Sequence, residues 1–288
     1  MKKRTITLIA GPTASGKSDF ALKLAEENDA VIVNADSMQI YDVLNVITAR
    51  PSAEDTARVQ HYLYGYVSPE KQYSTGKWLK DVAEVLKTVE RPLIFVGGTG
   101  LYFKALTEGL AIIPDIPEET RKKWRTRLEG EGASELYKLL QGIDYQLSRR
   151  LSEKDGQRII RALEVHDATG KTLSYWQNRK TEPLLKTGDL KKLLLLPERD
   201  VVYRRIERRF DKMVENGALE EARALDELGL NPSMPAMKAI GIPEFIDVLK
   251  GKKTIGEAIV EAKTNTRRYA KRQMTWFRHQ LGEDWEKI

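Results

Sequence analysis

The chain has 288 residues, of which 41% are hydrophobic, so it can bury a substantial core as one large domain or two modest ones. This composition excludes a disordered protein, and the absence of cysteine excludes a disulfide framework and a thiolate metal site. Lys and Arg total 48 against 42 Asp and Glu, a net charge of +6 that permits a polyanionic partner. No apolar stretch approaches the roughly 18 residues that span a bilayer, so we expect a cytosolic chain outside the membrane.

The N-terminal part of the chain alternates short apolar runs with amphipathic segments. Such alternation predicts a parallel sheet with helices on both faces. The predicted strands are 4–10, 30–37 and 91–100, and the predicted helices are 17–28, 74–90 with Ser74 as its cap, and 101–109.

A phosphate-binding loop is predicted between the first strand and the first helix. The segment GPTASGKS, from Gly11 to Ser18, has the spacing G-x-x-x-x-G-K-[ST]. We expect the backbone N–H groups of Thr13 to Ser18, the positive end of the helix and the Lys17 ammonium to converge on one anionic site. The Ser18 hydroxyl is a candidate Mg²⁺ ligand. The candidate binding residues are Gly11, Pro12, Thr13, Ala14, Ser15, Gly16, Lys17 and Ser18.

A second change of pattern occurs in the middle of the chain. From about Asp115 to Lys186 there are helical segments and no convincing strand, which predicts an inserted helical subdomain. A strand at 190–200 and four helices, at 200–217, 218–229, 242–251 and 254–280, complete the chain. We therefore predict an α/β fold with a P-loop NTPase-like parallel sheet core at 1–114 and 187–288, an all-helical insertion at 115–186 and a helical C-terminal region.

Two strand ends carry candidate functional residues. A motor ATPase usually has a Mg²⁺-binding aspartate after a second apolar strand, but the strand LIFV ends in Gly97-Gly98-Thr99-Gly100. The carboxylate that ends a strand is Asp36, a candidate Mg²⁺ partner, general base or cap of the next turn. Gly97 and Gly98 would let a substrate approach the backbone, where Thr99 either forms a hydrogen bond or caps the next helix.

Positive charge is concentrated near the C-terminus. The last helix has no acidic residue from 262 to 281, and its spacing separates Arg267, Lys271 and Arg278 from an apolar face. Such a face either binds a phosphate backbone or is merely solvated. A second cluster, Arg204, Arg205, Arg208 and Arg209, could reach an anionic ligand. The three histidines lack metal-ligand spacing, so we expect structural roles for His61, His166 and His279.

Segments in order along nearly the whole chain resemble the bacterial tRNA dimethylallyltransferases. They are GPTASGKS, NADSMQIY, ARPSAEDTARVQHYLYGYVSP, FVGGTGLYFKALTEGL, GQRIIRALEV, RRIERRFDKMVENG and TRRYAKRQMTWFR. Each match alone is modest, but together they are highly specific. The resemblance implies transfer of a dimethylallyl group from dimethylallyl diphosphate to N6 of the adenosine 3′ to certain anticodons.

The resemblance also assigns roles to residues. The diphosphate would bind at Thr13 to Ser18, with Lys17, Mg²⁺ and an arginine of 205 to 209 neutralising its charge; Arg205 is a candidate ligand and Arg209 our choice for the catalytic one. Asp36 would be the general base, and Thr99 a further catalytic candidate. The tRNA contacts implied by matching segments are Asp36, Ser37, Met38, Gln39, Thr99, Arg121, Gln157, Arg158, Ile159, Ile160 and Arg161.

The predicted partners follow from this reading. They are dimethylallyl diphosphate and tRNA, whose anticodon stem-loop the insertion would clamp, with no obligate protein partner and a monomeric state. The alternatives are an adenylate isopentenyltransferase, a P-loop kinase of small molecules, and an RNA-binding P-loop switch protein. The insertion and the basic C-terminal helix favour a tRNA substrate, since a free nucleotide needs no such surface. A switch protein would carry a guanine-reading motif such as N-K-x-D, which the sequence lacks.

Overall fold

The sheet at the centre of the fold is parallel throughout. The computed structural model describes residues 4–186 and 190–288. Its strands are β1 (Ile6–Ala10), β2 (Val31–Asn34), β3 (His61–Tyr62), β4 (Leu93–Gly97), β5 (Leu190–Leu194) and β6 (Glu286–Lys287). Within the described residues they form one sheet in the order β3-β2-β4-β1-β5-β6. Ala10 pairs with Gly97 and Asn34 with Val96, so β1, β4 and β2 end side by side at one edge.

Helices cover both faces of the sheet, which is why its central strands are continuous apolar runs. On one face, α1 (Lys17–Glu27) packs Leu22 and Ala25 against Ile9 and Ile32. On the other face, Trp78 and Phe103 lie among the buried residues of the sheet. These belong to α3 (Thr75–Thr88) and α4 (Gly100–Glu108), whereas α2 (Ala53–Arg58) is a short surface helix that begins with a capping box at Ser52.

The helical insertion forms a compact unit of its own, Glu108–Pro183, while Met1–Thr107 and Leu184–Ile288 form the other. Its helices are α5 (Glu118–Glu131), α6 (Ala133–Ile143), α7 (Tyr145–Ser148), α8 (Gly156–Thr169) and α9 (Leu173–Gln177). Trp124, Leu136, Ile160 and Leu163 are buried in its core. The predicted return to the sheet at residue 187 lies outside the described residues.

The C-terminal helices build a third hydrophobic cluster in the larger unit. They are α10 (Arg199–Glu215), α11 (Ala218–Glu227), α12 (Ile242–Leu249) and α13 (Ile255–Gln280), with one 3₁₀ turn at Ala236–Lys238. Phe210, Phe245 and Ala262 pack there against the segment that follows β2, including Leu44 and Ile47. These helices therefore support the chain that leaves the strand ends.

The architecture confirms the predicted α/β fold with a parallel sheet and helices on both faces. The long elements lie where periodicity predicts them, and Ser74 caps α3 by accepting a hydrogen bond from the Lys77 N–H group. The sequence reading missed α2, β3, α9, β6 and the 3₁₀ turn, all six residues or shorter, because such short segments show no clear period. In the described ranges, no helix has the length and apolar character needed to cross a membrane.

Candidate active site

The loop after β1 has the conformation of an anion-binding turn, with left-handed backbone at Ala14 (φ 60°) and Gly16 (φ 91°). Two of its N–H groups are already used inside the protein. The Thr13 N–H donates to Gln273 Oε1 at 2.8 Å, and the Ser15 N–H donates to the Pro12 carbonyl at 3.2 Å. The expectation that every N–H from Thr13 to Ser18 points at the ligand is therefore wrong. Within the loop from Thr13 to Ser18, which the structure describes in full, the N–H groups of Ala14, Gly16, Lys17 and Ser18 donate to no acceptor.

Three cations meet at this loop. Lys17 Nζ donates to the Pro12 carbonyl at 3.1 Å, and burial lowers the pKa of Lys17 to about 8, with Asp36 opposing the shift and Arg209 adding to it. Arg205 donates to the Ser15 carbonyl at 2.7 Å, and Arg209 donates to Thr13 Oγ1 at 2.5 Å. Burial also lowers the pKa of Arg209, against the attraction of Asp36. Desolvated cations of this kind attract an anion strongly.

The loop opens into a cleft of about 860 Å³, here called the loop cleft. Its volume lies in the range of small-molecule sites. Cations predominate on its wall, and they are Lys17, Arg50, Arg205, Arg208, Arg209 and Lys212, against the carboxylates of Asp19, Asp36 and Asp55. His61 also lines the cleft, a position that its isolated place in the sequence did not indicate. The charge of the wall fits a ligand that carries more than one negative charge.

Asp36 lies at the edge where β2 ends and is oriented by Asn34. The Asn34 side chain is fully buried; its Oδ1 accepts the Asp36 N–H at 2.8 Å and its Nδ2 donates to the Asp36 carbonyl at 2.9 Å. Asp36 Oδ1 accepts the Met38 N–H at 2.9 Å, so one carboxylate oxygen caps the next turn. Within the described residues, no donor contacts the other oxygen, Oδ2. Asp36 thus combines a capping role with an oxygen that a ligand can use.

The turn after β4 faces Asp36. Thr99 Oγ1 accepts the Ser37 N–H at 3.0 Å and donates to Ser37 Oγ at 3.3 Å, so its hydroxyl holds the Asp36 segment and not the helix end. A Cβ on Gly97 would lie 2.0 Å from the Ala35 carbonyl oxygen, and one on Gly98 would lie 2.3 Å from Gln273 Nε2. The prediction that these glycines admit a substrate is therefore wrong, because protein atoms occupy that space.

A second cavity of about 340 Å³, here called the apolar pocket, adjoins the loop cleft. Both cavities are lined by Thr13, Asp36, Thr48 and Arg209. The rest of the wall of the apolar pocket has six apolar residues, Met38, Ile47, Phe210, Met213, Ala239 and Ile240, and five polar or basic ones, Ser37, Lys238, Thr266, Tyr269 and Arg272. A cationic cleft and an apolar pocket therefore meet at one carboxylate.

Two residues that support the site were missed in the sequence. Gln273 on α13 bridges the loop and the β4 turn, since its Nε2 donates to the Gly98 carbonyl at 2.9 Å. Glu221 on α11 accepts the N–H groups of Asn45, Val46 and Ile47 at 2.9, 2.6 and 3.0 Å. No sequence signal could have found these contacts, because they join residues 174 to 260 positions apart.

Some of the predicted tRNA contacts of the larger unit are available to a ligand, and others are held by protein groups. Met38 lines the apolar pocket, while the Gln39 amide donates to the Thr48 and Ala49 carbonyls at 2.8 and 3.1 Å. Arg267 is paired with Glu207 on α10, so the absence of acidic residues within α13 did not leave this arginine uncompensated. Lys271 and Arg278 are exposed, and in the described part of the chain neither has a carboxylate partner.

The predicted contacts in the helical unit include a correction. Ile159 and Ile160 are buried in the core of that unit, so their side chains are not available to RNA. Gln157 is exposed, whereas the three predicted arginines each have a carboxylate nearby. These ion pairs are Arg121 with Glu118 at 3.9 Å, Arg158 with Asp155 at 3.5 Å and Arg161 with Glu164 at 3.5 Å.

Comparison with known proteins gives one consistent result. The model of the IPP transferase family matches residues 39–280. A tRNA dimethylallyltransferase of Bartonella henselae is 60% identical over 286 residues, 99% of each chain, and that of Rhizobium meliloti is 50% identical over 98% of this chain and 94% of its own.

Solved structures agree with this result. A tRNA isopentenylpyrophosphate transferase from Bacillus halodurans matches with TM-score 0.70 and 32% identity, over 99% of this chain and 90% of its own. A eukaryotic dimethylallyltransferase, described as acting on tRNA, matches with TM-score 0.77 and 27% identity over 98% of this chain and 72% of its own. A family model that matches most of the chain and full-length relatives of one kind lead to a single conclusion: the chain belongs to the IPP transferase family, the tRNA dimethylallyltransferases.

Proposed function

We propose that this chain transfers a dimethylallyl group from dimethylallyl diphosphate to N6 of the adenosine 3′ to the anticodon of tRNA, and releases diphosphate. The observation that carries the proposal is the meeting of the cationic loop cleft and the apolar pocket at Asp36. A prenyl diphosphate has one highly charged end and one apolar end. The two cavities offer a matching environment to each end.

The diphosphate end is assigned to the loop cleft. The available N–H groups of Ala14, Gly16, Lys17 and Ser18 would donate to phosphate oxygens, as the start of a helix favours. Lys17 and Arg209 would neutralise the charge that builds up on the leaving diphosphate, because both are desolvated there. Arg209 lines both cavities, whereas Arg205 and Arg208 line only the loop cleft, which supports Arg209 as the catalytic arginine.

A magnesium ion is compatible with the donors present in the cleft. The Ser18 hydroxyl is exposed in the first turn of α1, and Asp19, Asp36 and Asp55 line the same cleft. Mg²⁺ takes oxygen ligands and is usually held by few protein groups together with phosphate oxygens and waters. Ser18 would hold the ion, which would supply further neutralisation of the diphosphate charge.

Asp36 is assigned the proton transfer. A bond forms between N6 of the adenine and C1 of the dimethylallyl group, while the C1–O bond breaks and the diphosphate leaves with the electron pair. The adenine amino group is a weak nucleophile because its lone pair is delocalised into the ring. Asp36 Oδ2, the oxygen without a donor, would accept the N6 proton as the bond forms.

The tRNA contacts are proposed in both units. In the larger unit, Ser37, Met38, Thr99, Lys271 and Arg278 remain our candidates. In the helical unit, we add to the three predicted arginines a patch of two tyrosines and four basic residues. None of these basic residues has a carboxylate partner among the described residues. This patch, here called the Tyr–Arg patch, consists of Tyr145, Arg149, Arg150, Lys171, Tyr175 and Arg179.

The composition of the Tyr–Arg patch suits RNA. Tyr145 is 64% exposed with Arg149 over its ring at 6.0 Å, and Arg179 stacks on Tyr175 at 3.8 Å. Unpartnered cations bind phosphates, and exposed aromatic rings stack on unpaired bases. We further propose that the chain acts as a monomer without an obligate protein partner, and in the cytosol, where a tRNA substrate is found.

The test is a transfer assay with labelled dimethylallyl diphosphate and Mg²⁺. Unmodified tRNA and AMP are offered as separate acceptors, and ATP hydrolysis is followed in parallel. We expect label in tRNA alone. Label only in AMP would indicate an adenylate prenyltransferase, and ATP turnover without transfer would indicate a kinase or a switch protein; either result overturns the proposal.

The role of Asp36 is tested by Asp36→Asn. Loss of a positioned general base costs about 10²- to 10⁴-fold in turnover. The matched control is Asp42→Asn, an exposed carboxylate in the same segment that lines neither the loop cleft nor the apolar pocket, for which we expect near-normal turnover. Equal melting temperatures of both variants would exclude misfolding. Near-normal turnover of Asp36→Asn would leave Asp36 only its capping role.

A further inference from the structure

Gln273 forms a hydrogen-bonded bridge between the loop after β1 and the turn after β4. Its side chain lies within α13, is 6% exposed and forms two hydrogen bonds to backbone atoms. Oε1 accepts the Thr13 N–H of the phosphate-binding loop at 2.8 Å, and Nε2 donates to the Gly98 carbonyl in the turn after β4 at 2.9 Å. One amide therefore joins two segments that lie far apart in the sequence.

The surroundings of Gln273 leave it a single orientation. The loop offers a donor and the turn offers an acceptor, so a reversed amide would satisfy neither. The turn is built to admit the amide, because a Cβ on Gly98 would lie 2.3 Å from Nε2. One helical turn further on, Trp276 fills the space where a Cβ on Gly100 would lie, at 2.1 Å. Helix α13 thus packs directly on the turn.

Each end of the bridge holds a catalytic candidate. On the loop side, Thr13 Oγ1 accepts from Arg209, the arginine assigned to the leaving diphosphate. On the turn side, Thr99 follows Gly98 and holds Ser37, next to Asp36. Gln273 itself lines neither the loop cleft nor the apolar pocket as described above. Its influence on the reaction must therefore act through the groups that it holds.

We propose that Gln273 is a positioning residue. It sets the distance between the phosphate-binding loop and the turn after β4, whose Thr99 holds the segment of Asp36. In this way it aligns the prenyl carbon with the amine that attacks it. This inference rests on the proposed function for its kinetic part. The binding of inorganic diphosphate provides a readout that is independent of the reaction.

The decisive variant is Gln273→Glu, which separates the two hydrogen bonds. A carboxylate still accepts from the Thr13 N–H but cannot donate to the Gly98 carbonyl. We expect diphosphate affinity and the KM for dimethylallyl diphosphate to stay within about 3-fold, while kcat falls about 10- to 100-fold, since a misplacement near 1 Å costs up to 10²-fold.

The same variant has a characteristic pH dependence. When protonated, the carboxyl group introduced by Gln273→Glu would donate to the Gly98 carbonyl again, and burial raises the pKa of a carboxyl group. The ratio of kcat for Gln273→Glu to kcat for the original protein should therefore rise as the pH falls. The same ratio for Gln273→Leu, which adds no carboxyl group near Asp36, provides the reference for the pH dependence that Asp36 itself causes.

Two further variants complete the design. Gln273→Leu removes both hydrogen bonds, so we expect weaker diphosphate binding, lower kcat and a kcat ratio that does not change with pH. Gln280→Glu is the matched control, the same substitution on the same helix at an exposed amide, and should leave all values unchanged. Melting temperatures are measured for all three.

Specific outcomes would overturn the inference. If Gln273→Glu and Gln273→Leu lose diphosphate affinity and kcat equally, at a ratio independent of pH, Gln273 stabilises the fold and positions nothing. Unchanged kcat in both variants would have the same meaning. If the original protein transfers no prenyl group, the proposed function fails, yet the contrast in diphosphate affinity between the two variants still tests the bridge.

Discussion

Lys17 is a residue whose titration should be visible in ligand binding. Burial lowers the pKa of this ammonium to about 8, so it loses its proton well below the pH at which a solvated lysine does. A bound diphosphate favours the charged form and raises the pKa again. We therefore expect diphosphate affinity to be greatest below pH 8 and to fall by up to about tenfold per pH unit above it.

Isothermal titration with inorganic diphosphate at pH 7, 8 and 9, in buffers of different ionisation enthalpy, measures this effect as proton uptake. Lys17→Met is the control, because its remaining pH dependence reports the titration of diphosphate itself. Above pH 8, the number of protons taken up on diphosphate binding should be larger for the wild-type protein than for Lys17→Met. Identical uptake by the two proteins would show that Lys17 keeps its proton throughout.

At this scale, the sequence predicts residues whose chemistry depends on near neighbours. Lys17 and Ser18 belong to a contiguous motif, and Asp36 follows a strand whose end the hydrophobic pattern reveals. Asn34 and Gln273 could not be predicted as site residues, because each is identified only by the atoms that it contacts. Ile159 and Ile160 show the opposite error. They were predicted as tRNA contacts because their motif matches, although their side chains are buried.

Among the elements, α11 stabilises the segment that lines both cavities. The Glu221 carboxylate accepts three consecutive N–H groups, from Asn45 to Ile47, at the start of the segment that contains Thr48. Glu221→Gln keeps the shape but replaces one acceptor oxygen with a donor that faces N–H groups. A buried polar group left unsatisfied costs about 1–3 kcal/mol, so we expect the free energy of unfolding to fall by that amount.

Urea denaturation of the two proteins measures the difference in unfolding free energy. Glu220→Gln, the neighbouring exposed carboxylate on the same helix, is the control and should change stability by less than about 0.5 kcal/mol. We also expect the KM for dimethylallyl diphosphate to rise in Glu221→Gln alone. Equal stabilities of the two variants would mean that the segment does not depend on this carboxylate.

Elements were predictable in proportion to their length. Helices such as α3 and α13 have several turns of amphipathic pattern and a capping residue, Ser74 and Thr254, that marks the start. The strands β3 and β6 have two residues each and exist because a neighbouring strand offers hydrogen bonds. Their formation is a tertiary event that no local pattern encodes.

At the scale of the whole molecule, charge distribution should govern tRNA binding. The affinity for tRNA should decrease steeply with salt concentration, because each phosphate contact releases counterions. Replacing Arg149 and Arg179 together by alanine should reduce the slope of log K against log salt by about 1 to 2. Filter binding or fluorescence anisotropy at several salt concentrations measures the slope.

The control for this experiment is Arg127→Ala in the same helical unit. Arg127 forms an ion pair with Glu131 at 2.5 Å, so its charge is already neutralised within the protein. Its replacement by alanine should therefore leave the slope unchanged. Equal slopes for the original protein and the Arg149 and Arg179 variant would remove the Tyr–Arg patch from the tRNA interface. Transfer activity on tRNA should decline with affinity.

The sequence by itself determined the class of fold, the glycine-rich loop between β1 and α1 and the position of Asp36 after a strand, because these depend on local periodicity and contiguous motifs. The tertiary structure decided which groups of that loop remain available and which side chains hold the site together. In the folded chain, Gln273 forms hydrogen bonds with Thr13 and Gly98, and Glu221 forms them with the segment after β2. A carboxylate of α10 also pairs with an arginine of the basic helix α13. Hydrogen bonds and ion pairs between distant residues depend on how elements pack, and a linear pattern carries no record of that packing.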